Sequence, residues 1–68
     1  MTERSRIIFK SQHHTACVMH DGSLVVTRNR KGGGRRLVGP QAAVWVHAIE
    51  TALDAPEAGA LCRGFLNG

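Results

Sequence analysis

Three histidines and a cysteine, His13, His14, Cys17 and His20, fall within the eight residues "HHTACVMH", and His47 and Cys62 follow further along the chain. Imidazole nitrogen and thiolate sulfur are the donors of tetrahedral zinc sites, at about 2.0–2.3 Å. The spacing argues against such a site. Cys17 and His20 are separated by an odd number of residues, so in an extended strand they point to opposite faces. The expected reading is two loop histidines, a buried cysteine and a hairpin histidine, with no metal and no cofactor.

Acid–base chemistry has equally little to work with. Glu50, Asp54 and Glu57 gather near a helix junction, where capping accounts for two of them. His47 and Glu50, one helical turn apart, have the spacing of a general base and its orienting partner. The same spacing describes an exposed helical pair worth about 0.2–0.5 kcal/mol. No G-x-S-x-G, C-x-x-C or H-E-x-x-H occurs. A chain of 68 residues also has little material for both a core and a preorganised active site. The expectation is a binding protein and not an enzyme.

The densest chemical signal is "NRKGGGRR", Asn29 to Arg36, preceded by Arg28. The candidate binding residues are Arg28, Arg30, Lys31, Gly32, Gly33, Gly34, Arg35 and Arg36, with Arg4, Arg6 and Lys10 as further cations near the start. Arginine outnumbers lysine seven to two, and its planar fork suits phosphate and carboxylate. The three glycines do not form a nucleotide-binding P-loop, because no Gly-Lys-Ser/Thr ending follows and no helix opens there. No turn type demands three glycines, so the segment reads as a mobile cationic tip.

Charge is distributed unevenly. Residues 1–38 hold eight Lys/Arg against two Asp/Glu, while residues 39–68 hold one against three, so the halves carry +6 and −2 and sum to the net +4. A basic two-stranded ribbon fits a nucleic-acid groove or backbone. Phe, Tyr and Trp do not alternate with the charges, which removes the stacking platform of single-strand binders. Duplex DNA or structured RNA, contacted through phosphates, is therefore the expected partner. The competing class is a small inhibitor or adaptor of the phage or mobile-element type, docking its basic face or an apolar helix on a larger host protein.

The elements that must carry these residues follow from pattern. The length predicts one compact domain: a flexible stretch over 1–5, a β-sheet half over 6–38 and a helical half over 39–66. Apolar residues make up 43% of the chain and aromatic ones 4%, so Phe9, Trp45 and Phe65 are the expected core anchors. The longest apolar run, Ala42 to Val46, is far short of a membrane span, and "MTERSRIIFK" lacks a signal-peptide core. A cytoplasmic protein is expected, with Cys17 and Cys62 as unbridged thiols.

Ile7 to Phe9 reads as a strand. Asp21-Gly22 between apolar runs signals a two-residue type I′ hairpin, which pairs Met19 with Leu24 and Cys17 with Val26. Alternation then assigns Cys17, Met19, Leu24 and Val26 to the core face. Arg28 to Val38 reads as a second hairpin. Pro40 starts a helix whose stripe is Ala42, Trp45, Val46, Ile49, Ala52 and Leu53, running to about Asp54. Asp54 and Glu57 form a capping-box pattern that opens a short second helix, with Ala58, Leu61, Cys62, Phe65 and Leu66 as its apolar side. Strands first and helices last predict an α+β fold with three or four antiparallel strands covered on one face. Val44 and Ala48 widen the first helix beyond what one small sheet covers, which predicts a homodimer.

Overall fold

The computed structural model describes residues 5–67. The fold is α+β: an antiparallel meander of four strands followed by two helices. The strands are β1 (Arg6–Lys10), β2 (His14–Val18), β3 (Leu24–Arg28) and β4 (Gly34–Leu37), in spatial order β1-β2-β3-β4. Helices α1 (Pro40–Glu50) and α2 (Ala55–Asn67) pack on one face of the sheet. Four of the five residues of the expected flexible stretch lie outside the described residues, so that expectation is left where it stood.

The β2–β3 hairpin differs from the expected register by one residue. Met19 donates its N–H to the Ser23 carbonyl at 2.9 Å and accepts from the Gly22 N–H at 2.9 Å, so the loop is His20-Asp21-Gly22. A type I′ turn needs positive φ at both central positions, and only Gly22, at φ 89°, has it. Asp21 instead accepts from the Ser23 N–H at 3.0 Å and the Ser23 hydroxyl at 2.7 Å, a side-chain turn that lengthens the loop. Val18 therefore pairs with Leu24, Cys17 with Val25 and Ala16 with Val26. A slip of one flips every side chain of the strand. Ala16, Leu24 and Val26 are the buried residues, while Cys17 and Met19 face away from the helices, which corrects the assignment of those two to the core.

The core joins Ala16, Leu24 and Val26 to Ala42 and Ile49 of α1 and to Cys62 and Phe65 of α2. Of the three aromatic anchors only Phe65 is fully buried. Trp45 is mostly buried, as expected, packs against the core cluster and sits edge-on to Phe65 at 5.2 Å between centroids. Such an aromatic contact contributes about 0.5–1.5 kcal/mol beyond area burial. Phe9 reaches the core because β1 carries a bulge between Ile7 and Phe9, which sets Phe9 opposite Ala16.

Helix α1 is shorter than its apolar stripe implies. Thr51 ends it by donating its hydroxyl to the His47 carbonyl at 2.8 Å, and Leu53, counted in the stripe, is 89% exposed in the connection. Asp54 then caps α2, its Oδ1 accepting the Glu57 N–H at 2.9 Å. The second helix, expected to be short, is the longer of the two and buries Ala58, Cys62 and Phe65.

Candidate anion-binding cleft

A meander places its first and third connections at the same end of the sheet. Here Ser11 to His13 and Asn29 to Gly33 lie side by side, tied by Asn29. Its N–H donates to the His13 carbonyl at 2.9 Å, its side-chain amide donates to the Ser11 carbonyl at 2.7 Å, and its Oδ1 accepts from the Thr15 hydroxyl at 2.8 Å. Ser11 holds the first loop by accepting the His13 and His14 N–H groups at 3.3 and 3.1 Å.

The triple glycine has a structural cause. Arg28 closes the loop, its N–H donating to the Gly33 carbonyl and its carbonyl accepting from the Gly32 N–H. Gly32 and Gly33 sit at φ 76° and 77°, where a side chain strains the backbone. Gly34 pairs with Thr27, and a Cβ there would stand 2.5 Å from the Val26 carbonyl oxygen. Two glycines answer a positive φ and the third a close backbone approach, which corrects the reading that no turn needs three glycines.

The cations of the hairpin divide into two groups. Arg35 pairs with Val26 on the helix-covered face, where its guanidinium lies 4.8 Å from the Phe65 ring centroid and donates to the Phe65 carbonyl at 2.6 Å. That carbonyl belongs to the last turn of α2, where no intrahelical partner exists. Arg36, on the opposite face, meets the Asp21 carboxylate at 2.9 Å. Both arginines serve the fold. Arg28, Arg30 and Lys31 instead line an open cleft of about 560 Å³ with His13, His14 and, from α2, Arg63 and Asn67.

The cleft follows from the same alternation that builds the core. His14 and Arg28 are a cross-strand pair, two positions beyond Ala16 and Val26 on the helix-covered face, past the end of the apolar core. Helix α2 crosses there and presents Arg63. No carboxylate lines the cleft, and among the described residues the ion pairs are Arg6–Glu50 and Arg36–Asp21, both elsewhere. The His14 imidazole is held below its usual pKa, first by burial and then by the positive charge of His13, Arg63 and Arg28. Burial disfavours charge of either sign, so only the smaller, coulombic part of this shift reports the cations gathered in the cleft.

Sequence reasoning missed His13, His14, Arg63 and Asn67. The first two were weighed only as metal ligands. Pairing β2 with β3 sets His14 beside Arg28, and Arg63 is the single cation of the acidic second half, on the exposed side of its helix. Among the described residues no three His, Cys, Asp or Glu side chains gather as a metal set. Glu50 pairs with Arg6 at 2.9 Å, and among the described residues no hydrogen bond joins it to His47. Cys62 is buried, which pushes its thiol pKa up, and Cys17 is on the other side of the sheet. No helix of the described residues is long and apolar enough to cross a membrane. Comparison with protein-family models, with curated proteins and with solved structures finds no match.

Proposed function

We propose that this is a small non-enzymatic binding protein that contacts the phosphate backbone of nucleic acid through the cleft between the β1–β2 and β3–β4 loops and α2. The observation that carries the reading is the gathering of Arg28, Arg30, Lys31 and Arg63 around one cleft without a carboxylate. Like charges brought together raise the free energy of the folded chain, and a polyanion offsets that on binding. Arg35 and Arg36 leave the proposed contact set, Arg63 joins it, and the glycines act through the loop they shape. The expected partners are duplex DNA or structured RNA.

Salt and mutation together test this. Binding to nucleic acid should weaken with a log–log slope of about −0.9 per duplex phosphate contacted. Replacing Arg28, Arg30, Lys31 and Arg63 by serine should reduce affinity by about a hundredfold or more at low salt, with the melting temperature retained. Charge reversal at Lys10, outside the cleft and in no ion pair among the described residues, is the control. Equal losses from both sets would reduce the effect to nonspecific attraction by a protein of pI 10.1.

A second reading has its own observation. Val44 on α1 is 68% exposed, beside the half-buried Ala48. That surface supports a homodimer, or docking of an inhibitor or adaptor on a host protein, in a cytoplasmic setting. Light scattering at twice 7.4 kDa, returned to 7.4 kDa by Val44→Glu, would favour the dimer. Retention of one defined host protein after nuclease treatment would favour the adaptor.

A further inference from the structure

We infer that the cationic cleft and the trough adjoining it together take one unpaired nucleotide of a single strand. The phosphate lies against Arg28, Arg30 and Lys31, and the base lies over α2 between His13 and Arg63. This rests on the nucleic-acid reading above and narrows it.

Two cavities share one wall. His13, His14 and Arg63 line both the cationic cleft and a second trough of about 490 Å³, so the two are adjacent compartments on either side of these side chains. Their chemistry differs. Beyond the shared wall the floor is Ala55, Pro56, Gly59 and Ala60, a low apolar surface on one face of α2, with Gln12 at the rim. Each compartment falls within the volumes of small-ligand sites, about 300–1,000 Å³. A compartment of cations beside one of small apolar side chains matches a nucleotide, whose charge and flat base are adjacent but distinct.

The duplex form does not use both compartments, because its base faces are buried in the stack. An unpaired base does, since it is recognised by stacking on planar side chains, histidine and the arginine guanidinium included. The planar groups at the shared wall are His13, His14 and Arg63, of which His13 and Arg63 are the exposed ones, and the His13 ring stands edge-on to His14 at 6.5 Å between centroids. The inferred stacking groups are therefore ones that a count of Phe, Tyr and Trp does not include.

The test compares oligothymidylate with a blunt duplex of the same length, at matched salt. Pure electrostatics favours the duplex, whose counterion-release slope is steeper, about −0.9 against −0.7 per phosphate. The inference requires the reverse, a preference of about tenfold for the single strand, the scale of one base contact. Gly59→Leu fills the trough: no atom lies within 4 Å of a Cβ there, and helix propensity rises, so the variant should melt no lower than the parent. It should abolish the single-strand preference while leaving duplex affinity unchanged. His13→Ala should remove most of the preference and His13→Phe should restore it. Equal affinity of the parent for both probes, or a Gly59→Leu loss that falls on both alike, overturns the inference and leaves the backbone reading standing. Failure of the parent to bind either probe more tightly than the Arg28, Arg30, Lys31 and Arg63 variant overturns both.

Discussion

The β2–β3 and β3–β4 loops of this sheet use the same backbone device and treat charge in opposite ways. At one end Gly22 takes positive φ, and the nearby Arg36 is met by the Asp21 carboxylate at 2.9 Å. At the other, Gly32 and Gly33 take positive φ, and Arg28, Arg30 and Lys31 open on a cleft with no carboxylate in its lining. The turns explain the glycines at both ends and the cations at neither. What separates them is whether the fold supplies a counter-charge, and that is invisible to a net charge of +4. Charge counted along a chain overstates the charge offered to a partner.

The comparison breaks most sharply at Gly34, where the β3–β4 hairpin begins its return. A Cβ there meets the Val26 carbonyl at 2.5 Å and the Thr27 Cα at 3.0 Å, backbone atoms that cannot swing aside. Gly34→Ala should destabilise the fold by about 1–3 kcal/mol. Gly64→Ala, with nothing within 4 Å on α2, should instead stabilise it by about 0.5–1 kcal/mol. Thermal melts read both. Equal tolerance at the two sites would restore the reading that no turn needs three glycines.

Why some of this was legible in the sequence, and the rest not, comes down to range. The meander, both helices and the Asp54 cap follow from short-range signals: apolar period, Pro40 and a carboxylate three residues before Glu57. The hairpin register turned on a single side chain. Asp21 bonding to Ser23 converted a two-residue turn into three and moved Cys17 out of the core. The cleft needs contacts between residues far apart in the chain. Arg28 was found from composition, whereas Arg63 enters only because α2 crosses the loop end of the sheet. Arg35 shows the same limit from the other side, since no local pattern announces that its partner is the Phe65 carbonyl.

The neutralised end should reveal itself in acid. Asp21 is held at about 2, below its usual 3.8, first by the Ser23 N–H, then by the Ser23 hydroxyl, with Arg36 a smaller contributor. A depressed folded-state pKa means that the unfolded chain takes up the proton first. The contribution is whole above pH 3.8 and is lost as pH falls through about 2. Asp21→Asn should flatten stability against pH in that window while keeping the turn, because its Oδ1 still accepts the Ser23 N–H. Arg36→Ala should leave most of the slope. Denaturant melts between pH 4.5 and 2 separate these outcomes, and a slope that vanishes with Arg36 would make the ion pair, not the turn, the governing contact.

The open end should respond nearer neutrality, with the opposite sign for binding and for bare stability. His14 is lowered from 6.5 by burial first and by the charges of His13, Arg63 and Arg28 after it. As pH falls through 6.5 the unfolded chain gains a proton that the folded chain resists, so stability without ligand declines. An anion in the cleft reverses the balance, because its charge favours the imidazolium. Phosphate-bearing ligands should then bind more tightly as pH drops from 7.5 to 5.5, by at most about tenfold per pH unit for one linked proton. A dinucleoside monophosphate, whose diester keeps one charge across this range, followed through the His14 ring resonances, gives the smallest and most local version of the measurement. His14→Gln keeps a polar group beside Arg28 and should flatten both dependences, the rise in affinity and the fall in stability. A cleft that bound the diester equally across that range, with His14 intact, would mean that the imidazole stands outside the field of the ligand. The anion would then sit at the loop tip with Arg30 and Lys31, and not between Arg28 and Arg63.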